Sequence, residues 1–338
     1  MHTGLAYSPS FLAHDTFPGH PERPERLIAI VGHLRTSGVW DQLAVWEPSR
    51  AAESTLELVH APQLIASLRE LSSRGGYVDQ DTAVSRTSWE PALRSVGAVV
   101  EAVQQVQTSA LDCAFCLCRP PGHHATPTAA MGFCLFNNVA IAAAWLLRNG
   151  VDRLAILDYD VHHGNGTQDA FATEPRVLYV SAHQYPLYPG SGHWRERGVG
   201  TTVNISLPPG SGDFVFAEVQ PQLIEPIVRR FQPQFMLVSL GFDAFWNDPL
   251  ASLRLSVTGY ASLIRGARDL AGELCGGRIV VALEGGYDLQ ALAHGADAVC
   301  RLLLGTDPLE DPLGPPPDQL PVSTVEPLLR AIAELHEV

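Results

Sequence analysis

Five short apolar runs are spaced along this chain with helix-like segments between most of them, and that alternation narrows the fold more than any other feature. The runs cover residues 111–118, 154–157, 177–181, 235–240 and 279–283. Each is the right length for a strand and short for a helix, and an unbroken apolar run implies burial on both faces. Residues 96–106, 139–147 and 223–231 carry apolar side chains at helical spacing. Alternating strands and helices predict an α/β domain with a mostly parallel sheet covered on both sides. A proline-rich stretch, 312–321, leads to a last expected helix at 325–335. No repeat, low-complexity tract or composition break marks a linker, so residues 1–338 read as one domain.

Each run is followed at once by polar residues, and in an open parallel sheet the loops at the carboxyl ends of the strands form the ligand crevice. Leu154-Ala155-Ile156-Leu157 leads into Asp158-Tyr159-Asp160-Val161-His162-His163-Gly164-Asn165-Gly166. On an extended backbone Asp160 and His162, two residues apart, point the same way. A carboxylate beside an imidazole is two thirds of a catalytic zinc site, and Asp243, after the fourth run, is the candidate third ligand. Three protein ligands leave a position open for water and substrate. The first run leads to Arg119-Pro120-Pro121-Gly122-His123-His124. Tandem histidines in such a turn are acid/base candidates, with Asp158 and Asn165 as partners. A carboxylate raises imidazole basicity and an amide only orients the ring, so the two should titrate differently. Tyr287, after Gly285-Gly286, is a candidate donor to a developing oxyanion.

The chain has 338 residues, 46% hydrophobic, enough for a large core, and a net charge of −14. All 22 basic residues are arginine. That balance argues against a broad nucleic-acid interface. No run of 18 apolar residues is present, and Met1-His2-Thr3-Gly4 lacks the basic-then-apolar pattern of a signal peptide. The expectation is a soluble, cytoplasmic protein without membrane contacts. Cys113-x-x-Cys116 has half the spacing of a zinc ribbon with no second pair to complete it, so packing of small hydrophobes is favoured over metal or redox chemistry.

In its motifs the chain resembles the zinc-dependent histone deacetylase superfamily. The resemblance rests on residues 119–125, Gly132-Phe133-Cys134-Leu135-Phe136-Asn137-Asn138, residues 158–168, Gly241-Phe242-Asp243-Ala244 and Glu284-Gly285-Gly286-Tyr287, with His20-Pro21-Glu22-Arg23-Pro24-Glu25-Arg26-Leu27 near the start. It spans roughly residues 3–305, leaving 306–338 as a C-terminal segment and helix. It looks closest to the class II-like bacterial members, the histone deacetylase-like amidohydrolases and acetylpolyamine amidohydrolases, and Asn165 is one such mark. The resemblance implies an arginase/deacetylase-like fold around an eight-stranded parallel sheet. It implies zinc on Asp160, His162 and Asp243, His124 as general base, His123 as its electrostatic or acid partner and Tyr287 as carbonyl-polarising donor. It also implies a tunnel lined by Gly132, Phe133 and Tyr188 beside Gly285, Arg23 near the exit for acetate, and a rim aspartate at Asp81 or its rival Asp79. Structural potassium would sit on Asp158, Asp160, His162, Ser181 and Ala182, with a second site on Phe171, Glu174 and Val177.

Two departures bear on specificity. Residues 198–204 are shorter than the usual glycine-rich loop at the tunnel edge. Leu250 stands where one polyamine-selective branch has a glutamate, and leucine offers a cationic polyamine no charge. The expected activity is removal of acetyl or a short acyl group from a lysine-like amine. The alternatives are an acetylpolyamine deacetylase, an inactive acyl-lysine-binding module and a two-metal ureohydrolase. The natural acylated amine, its acyl length, the metal used in the cell and any homo-oligomer stay open.

Overall fold

The apolar runs become strands because their side chains find cover on both sides. The computed structural model describes residues 2–307 and 310–338; Met1, part of the segment read above for a leader, lies outside the described residues. In chain order the strands are β1 (Thr3–Ala6), β2 (Ala44–Trp46), β3 (Gly76–Tyr77), β4 (Ala83–Val84), β5 (Cys113–Cys116), β6 (Leu154–Asp158), β7 (Val177–Gln184), β8 (Thr202–Leu207), β9 (Phe235–Leu240) and β10 (Ile279–Leu283). Eight form one parallel sheet in the order β2-β1-β5-β10-β9-β6-β7-β8, and β3 and β4 pair apart from it. Every residue of β5, β6, β7, β8, β9 and β10 is buried. This is the eight-stranded α/β architecture expected.

Five of these strands were legible. Run 111–118 shortens to β5, and run 177–181 continues to Gln184. The strands β1, β2 and β8 had no clear signal: β1 and β2 are three or four residues long, and β8 carries Asn204 among its apolar residues. Placing residues 198–204 at the tunnel edge is therefore corrected. Thr202 opens β8 opposite Tyr179, so the Gly198–Gly200 turn lies at the amino-terminal edge of the sheet, away from the carboxyl-end loops.

Helices cover both faces. Their ends are set locally: Asn137 accepts from Ala140 N, Ser256 from Gly259 N and Asp288 from Gln290 N and Ala291 N. Such caps contribute about 1 kcal/mol each. The Asp288 cap also decides where the loop carrying Tyr287 stops. The expected helix 223–231 is Glu225–Phe231 preceded by a π-helical turn, Gln220–Ile224. Pro226 has no N–H for the carbonyl four residues back, which explains the wider turn there. The last helix is Val322–Leu335. No helix among the described residues is long and apolar enough to cross a membrane.

All six cysteines are buried and free. Cys113 and Cys116, three residues apart on a strand, face opposite sides of it. Their thiols approach the carbonyls of Leu303 and Ala98, both at 3.5 Å, and burial raises both pKa values. They are core side chains, as favoured from the sequence.

Candidate metal centre and its tunnel

Four of the chemically loaded loops leave adjacent strands, because β5, β10, β9 and β6 are neighbours in the sheet. Parallel pairing puts all their carboxyl ends on one edge. Asp158 ends β6 level with Ser239 of β9, and the chain beyond it turns back across that edge. Backbone N–H groups then fix the carboxylates. Asp160 accepts from His162 N at 2.9 Å and Gly285 N at 2.8 Å, and Asp243 accepts from Val161 N at 3.0 Å.

Ligand atoms of Asp160, His162 and Asp243 all lie within 4.8 Å of one another, and the three side chains are buried or nearly so. His162 Nδ1 is 3.1 Å from Asp160 Oδ1 and 3.2 Å from Asp243 Oδ2. Asp243 Oδ2 is buried without a hydrogen-bond partner. Burial and the neighbouring Asp160 push the Asp243 carboxyl upward in pKa. The imidazole of His162, against its burial, is driven up to about 10 by the two carboxylates. Two buried carboxylates around one centre demand a positive charge, and a divalent ion meets that demand. Gly241 and Gly285 leave the room: a Cβ on either would overlap the carboxylates of Asp160 and Asp243. The donor set and the space both fit zinc.

The tandem histidines stand against this centre with ring centroids 4.0 Å apart. His123 Nδ1 is 3.1 Å from Asp158 Oδ2, and its Nε2 is 3.7 Å from Asp160. Those carboxylates overcome burial and hold its pKa up at about 10. His124 Nδ1 is 2.8 Å from Asn165 Oδ1, an amide oxygen that accepts the ring proton and leaves Nε2 with its lone pair. Burial and the neighbouring histidines keep His124 neutral, well below the usual imidazole range. The two rings do differ in the expected sense.

Sequence reasoning missed the groups that brace this arrangement. Glu284, fully buried, accepts from Gly122 N at 2.7 Å, His123 N at 3.2 Å and Ser239 Oγ at 3.0 Å, tying β5, β9 and β10 together under the histidines. Asp248 accepts from Tyr287 N at 2.8 Å. Arg23 is corrected: its side chain is half exposed and 4.0 Å from Glu25. The inward arginine is Arg26, on the buried face of the helix Glu25–Thr36. It donates to the carbonyls of Gly286, at 2.7 Å, and Glu284, and its guanidinium lies 5.2 Å from the Tyr287 ring centroid. Glu22 binds both Arg26, at 3.1 Å, and Arg119, at 2.8 Å, all three fully buried. Glu22 and Arg26 stand four residues apart around a helix start, the one signal that pairs them.

A cavity of about 220 Å³ leads to the centre, lined by His123, His124, Asp160, His162, Gly285 and Tyr287 at its floor. Its walls include Gly132, Phe133, Leu187 and Tyr188, and Asp81 and Leu250 also border it. Gly132 and Phe133 both have positive φ, 57° and 67°, between Met131 and Cys134, which exchange backbone hydrogen bonds as a two-residue hairpin. A Cβ at position 132 would strike the His124 ring. Phe133 N, held by Thr82 Oγ1 at 3.1 Å, keeps the phenyl ring edge-on to Tyr287, centroids 6.0 Å apart. Tyr188 stands edge-on to His124 at 5.1 Å. Asp79 Oδ1 accepts from Asp81 N and Thr82 N, a turn-closing role, whereas Asp81 lines the cavity. Of the suggested potassium residues, Ser181 lies beside Asp158 in register and is followed by Ala182. Phe171 and Val177 flank a turn in which Glu174 N donates to Phe171 O and Val177 N to Glu174 O.

The chain is similar to known proteins along most of its length. The histone deacetylase domain family matches residues 20–303. A probable deacetylase of Archaeoglobus fulgidus is 42% identical over 314 residues, 91% of this chain and 88% of its own length. A histone deacetylase-like amidohydrolase of Pseudomonas aeruginosa is 37% identical over 305 residues, 87% of this chain and 80% of its own. The crystal structure of the HDA15 HD domain superposes with a TM-score of 0.91 at 32% identity, covering 99% of this chain and 94% of that one. The family match over residues 20–303 and the similarity to these deacetylases place the chain in the histone deacetylase domain family of hydrolases.

Proposed function

We propose that this chain is a zinc-dependent amidohydrolase that removes acetyl or another short acyl group from a lysine-like amine. The observation that carries the reading is the grouping of Asp160, His162 and Asp243, the first two lining a cavity that His124 and Tyr287 also line. Zinc, when bound by those three residues, supplies Lewis acidity toward an amide carbonyl and an attacking water. Phe133 and Tyr188 flank the alkyl chain of the substrate and exclude water. His124 Nε2, kept free by the bond from Nδ1 to Asn165, takes a proton from the attacking water. His123, positively charged between Asp158 and Asp160, stabilises negative charge and is the source of a proton for the leaving amine. The Tyr287 phenol keeps its proton because burial raises its pKa, and it donates to the carbonyl oxygen as charge develops there. Asp158 joins Ser181 and Ala182 as a structural potassium site that stiffens the metal loop, with Phe171 and Val177 near a second.

Tyr287→Phe tests the reading: zinc content stays at the wild-type level while turnover of acetyl-lysine peptides drops by about 10²-fold or more, the scale for one oxyanion donor. Near-normal turnover rejects the role given to the phenol.

Asp81 at the cavity, with Asp79 two residues away, favours a second reading, an acetylpolyamine deacetylase, because acidic groups there attract a cationic chain. Turnover of acetylputrescine and acetylspermidine against acetyl-lysine peptides separates the two.

A further inference from the structure

At the opposite end of the sheet from the metal centre, a cavity of about 320 Å³ lies between β7, β8, the helix Glu225–Phe231 and the end of the last helix. Arg153, Arg230 and His336 line it, with Thr201, Ile227 and Phe231. Two buried polar atoms among these residues, His336 Nε2 and Thr201 Oγ1, have no hydrogen-bond partner. His336 is 2% exposed, so its bare nitrogen is costly in a folded chain and asks for an explanation. The charged groups acting on its imidazole are Arg197 and Arg230, with no carboxylate among them. Among the described residues Arg153, Arg197 and Arg230 form no ion pair, and the one side-chain hydrogen bond among them runs from Arg230 to the Glu337 carbonyl at 3.0 Å. A chain of net charge −14 thus concentrates unpaired cations around one hollow.

We propose that this hollow binds a small phosphorylated metabolite, its phosphate held by Arg153, Arg230 and His336 and the remainder against Ile227 and Phe231. Guanidinium groups suit phosphate because their N–H fork matches its oxygens, and imidazole adds a further donor when it takes a proton. The long-range field of an acidic chain opposes anions but is screened within about 10 Å at 0.1 M salt, so the local arginines decide. The volume exceeds what one phosphate ion fills, and the apolar wall receives the rest of the molecule. Such a ligand bridges the last helix to the sheet, so binding stabilises the fold without touching the tunnel.

The test uses the full chain at constant ionic strength, with a zinc-chelating hydroxamate filling the tunnel. The probes are inorganic phosphate, ribose 5-phosphate and ribose. Calorimetry is expected to show saturable binding of one ribose 5-phosphate per chain, tighter than inorganic phosphate, with a raised Tm and no response to ribose. Arg153→Gln combined with Arg230→Gln weakens binding by about ten-fold or more and leaves tunnel activity unchanged. On the unaltered protein, the imidazole resonances of His336 shift as ribose 5-phosphate is added. Absence of saturable binding, unchanged affinity in the double variant, displacement by the hydroxamate, or unmoved His336 resonances would each overturn the proposal. Binding of inorganic phosphate with exclusion of ribose 5-phosphate would overturn the metabolite assignment.

Discussion

Glu22→Gln is the substitution whose cost follows most directly from the structure. The carboxylate is fully buried and shared by Arg119, at 2.8 Å, and Arg26, at 3.1 Å. Against its burial, those guanidinium groups hold its pKa down from 4.5 to about 2. At about 1.4 kcal/mol per pKa unit, that depression corresponds to roughly 3 kcal/mol of stability at neutral pH. Removing one partner of a buried ion pair costs about 3–5 kcal/mol by a separate route, since two cations are left without a counter-charge. With an unfolding entropy of about 2.1 cal/mol/K per residue, such a loss lowers Tm by roughly 4–7 °C in this chain. Calorimetry at pH 7 checks it. Arg26 holds the Gly286 carbonyl beside Tyr287, so kcat on acyl-lysine peptides should fall as well. The pH dependence gives an independent signature. A depressed carboxyl stabilises the fold above its unfolded pKa, and the gain disappears as pH falls through the folded value. The wild type therefore loses this contribution between about pH 4.5 and 2, and the Glu22→Gln variant shows no loss in that window. A Tm drop under 1 °C at pH 7, with an unchanged acid profile, would refute the argument that this carboxylate neutralises the two arginines.

Three further outcomes follow from other parts of the molecule. His14 and His60 are buried neutral, their pKa values lowered from 6.5 to about 4 chiefly by desolvation, so the unfolded chain takes up protons first. Stability should fall as pH drops from about 6.5 to 4, by roughly 3 kcal/mol per histidine, and His60→Gln should flatten that slope in thermal scans. Gly285→Ala puts a methyl group onto the carboxylates of Asp160 and Asp243, so zinc per chain after dialysis should fall several-fold; full zinc content would show that the site does not need that space. Leu250→Glu adds a charge at a position 38% exposed beside the cavity, which should raise kcat/KM for acetylspermidine relative to acetyl-lysine peptide by about ten-fold. An unchanged ratio would remove Leu250 from substrate selection.

Local chemistry made much of this protein readable in one dimension. Fully buried parallel strands need unbroken apolar runs, so β5, β6, β7, β9 and β10 announced themselves, and the loaded loops after them identified Asp160, His162, Asp243, the tandem histidines and Tyr287 as residues brought to one edge. The strands without such runs, β1, β2 and β8, exist because a neighbour offers hydrogen bonds, a property of the sheet and not of their own composition. The same division runs through the site. Nearness along the chain keeps Asp160 and His162 together in the turn after β6, but choosing Arg26 over Arg23 depends on where the helix begins: Glu25–Thr36 carries Arg26 on its buried face, and Arg23 lies before it, half exposed. Glu22 binding Arg119 across 97 residues, Glu284 gathering three strands and Asp81 turning to the cavity while Asp79 closes a turn are likewise pairings of distant chain. They belong to the tertiary structure because a buried charge has to find its partner in space, and sequence distance carries no information about where that partner will be.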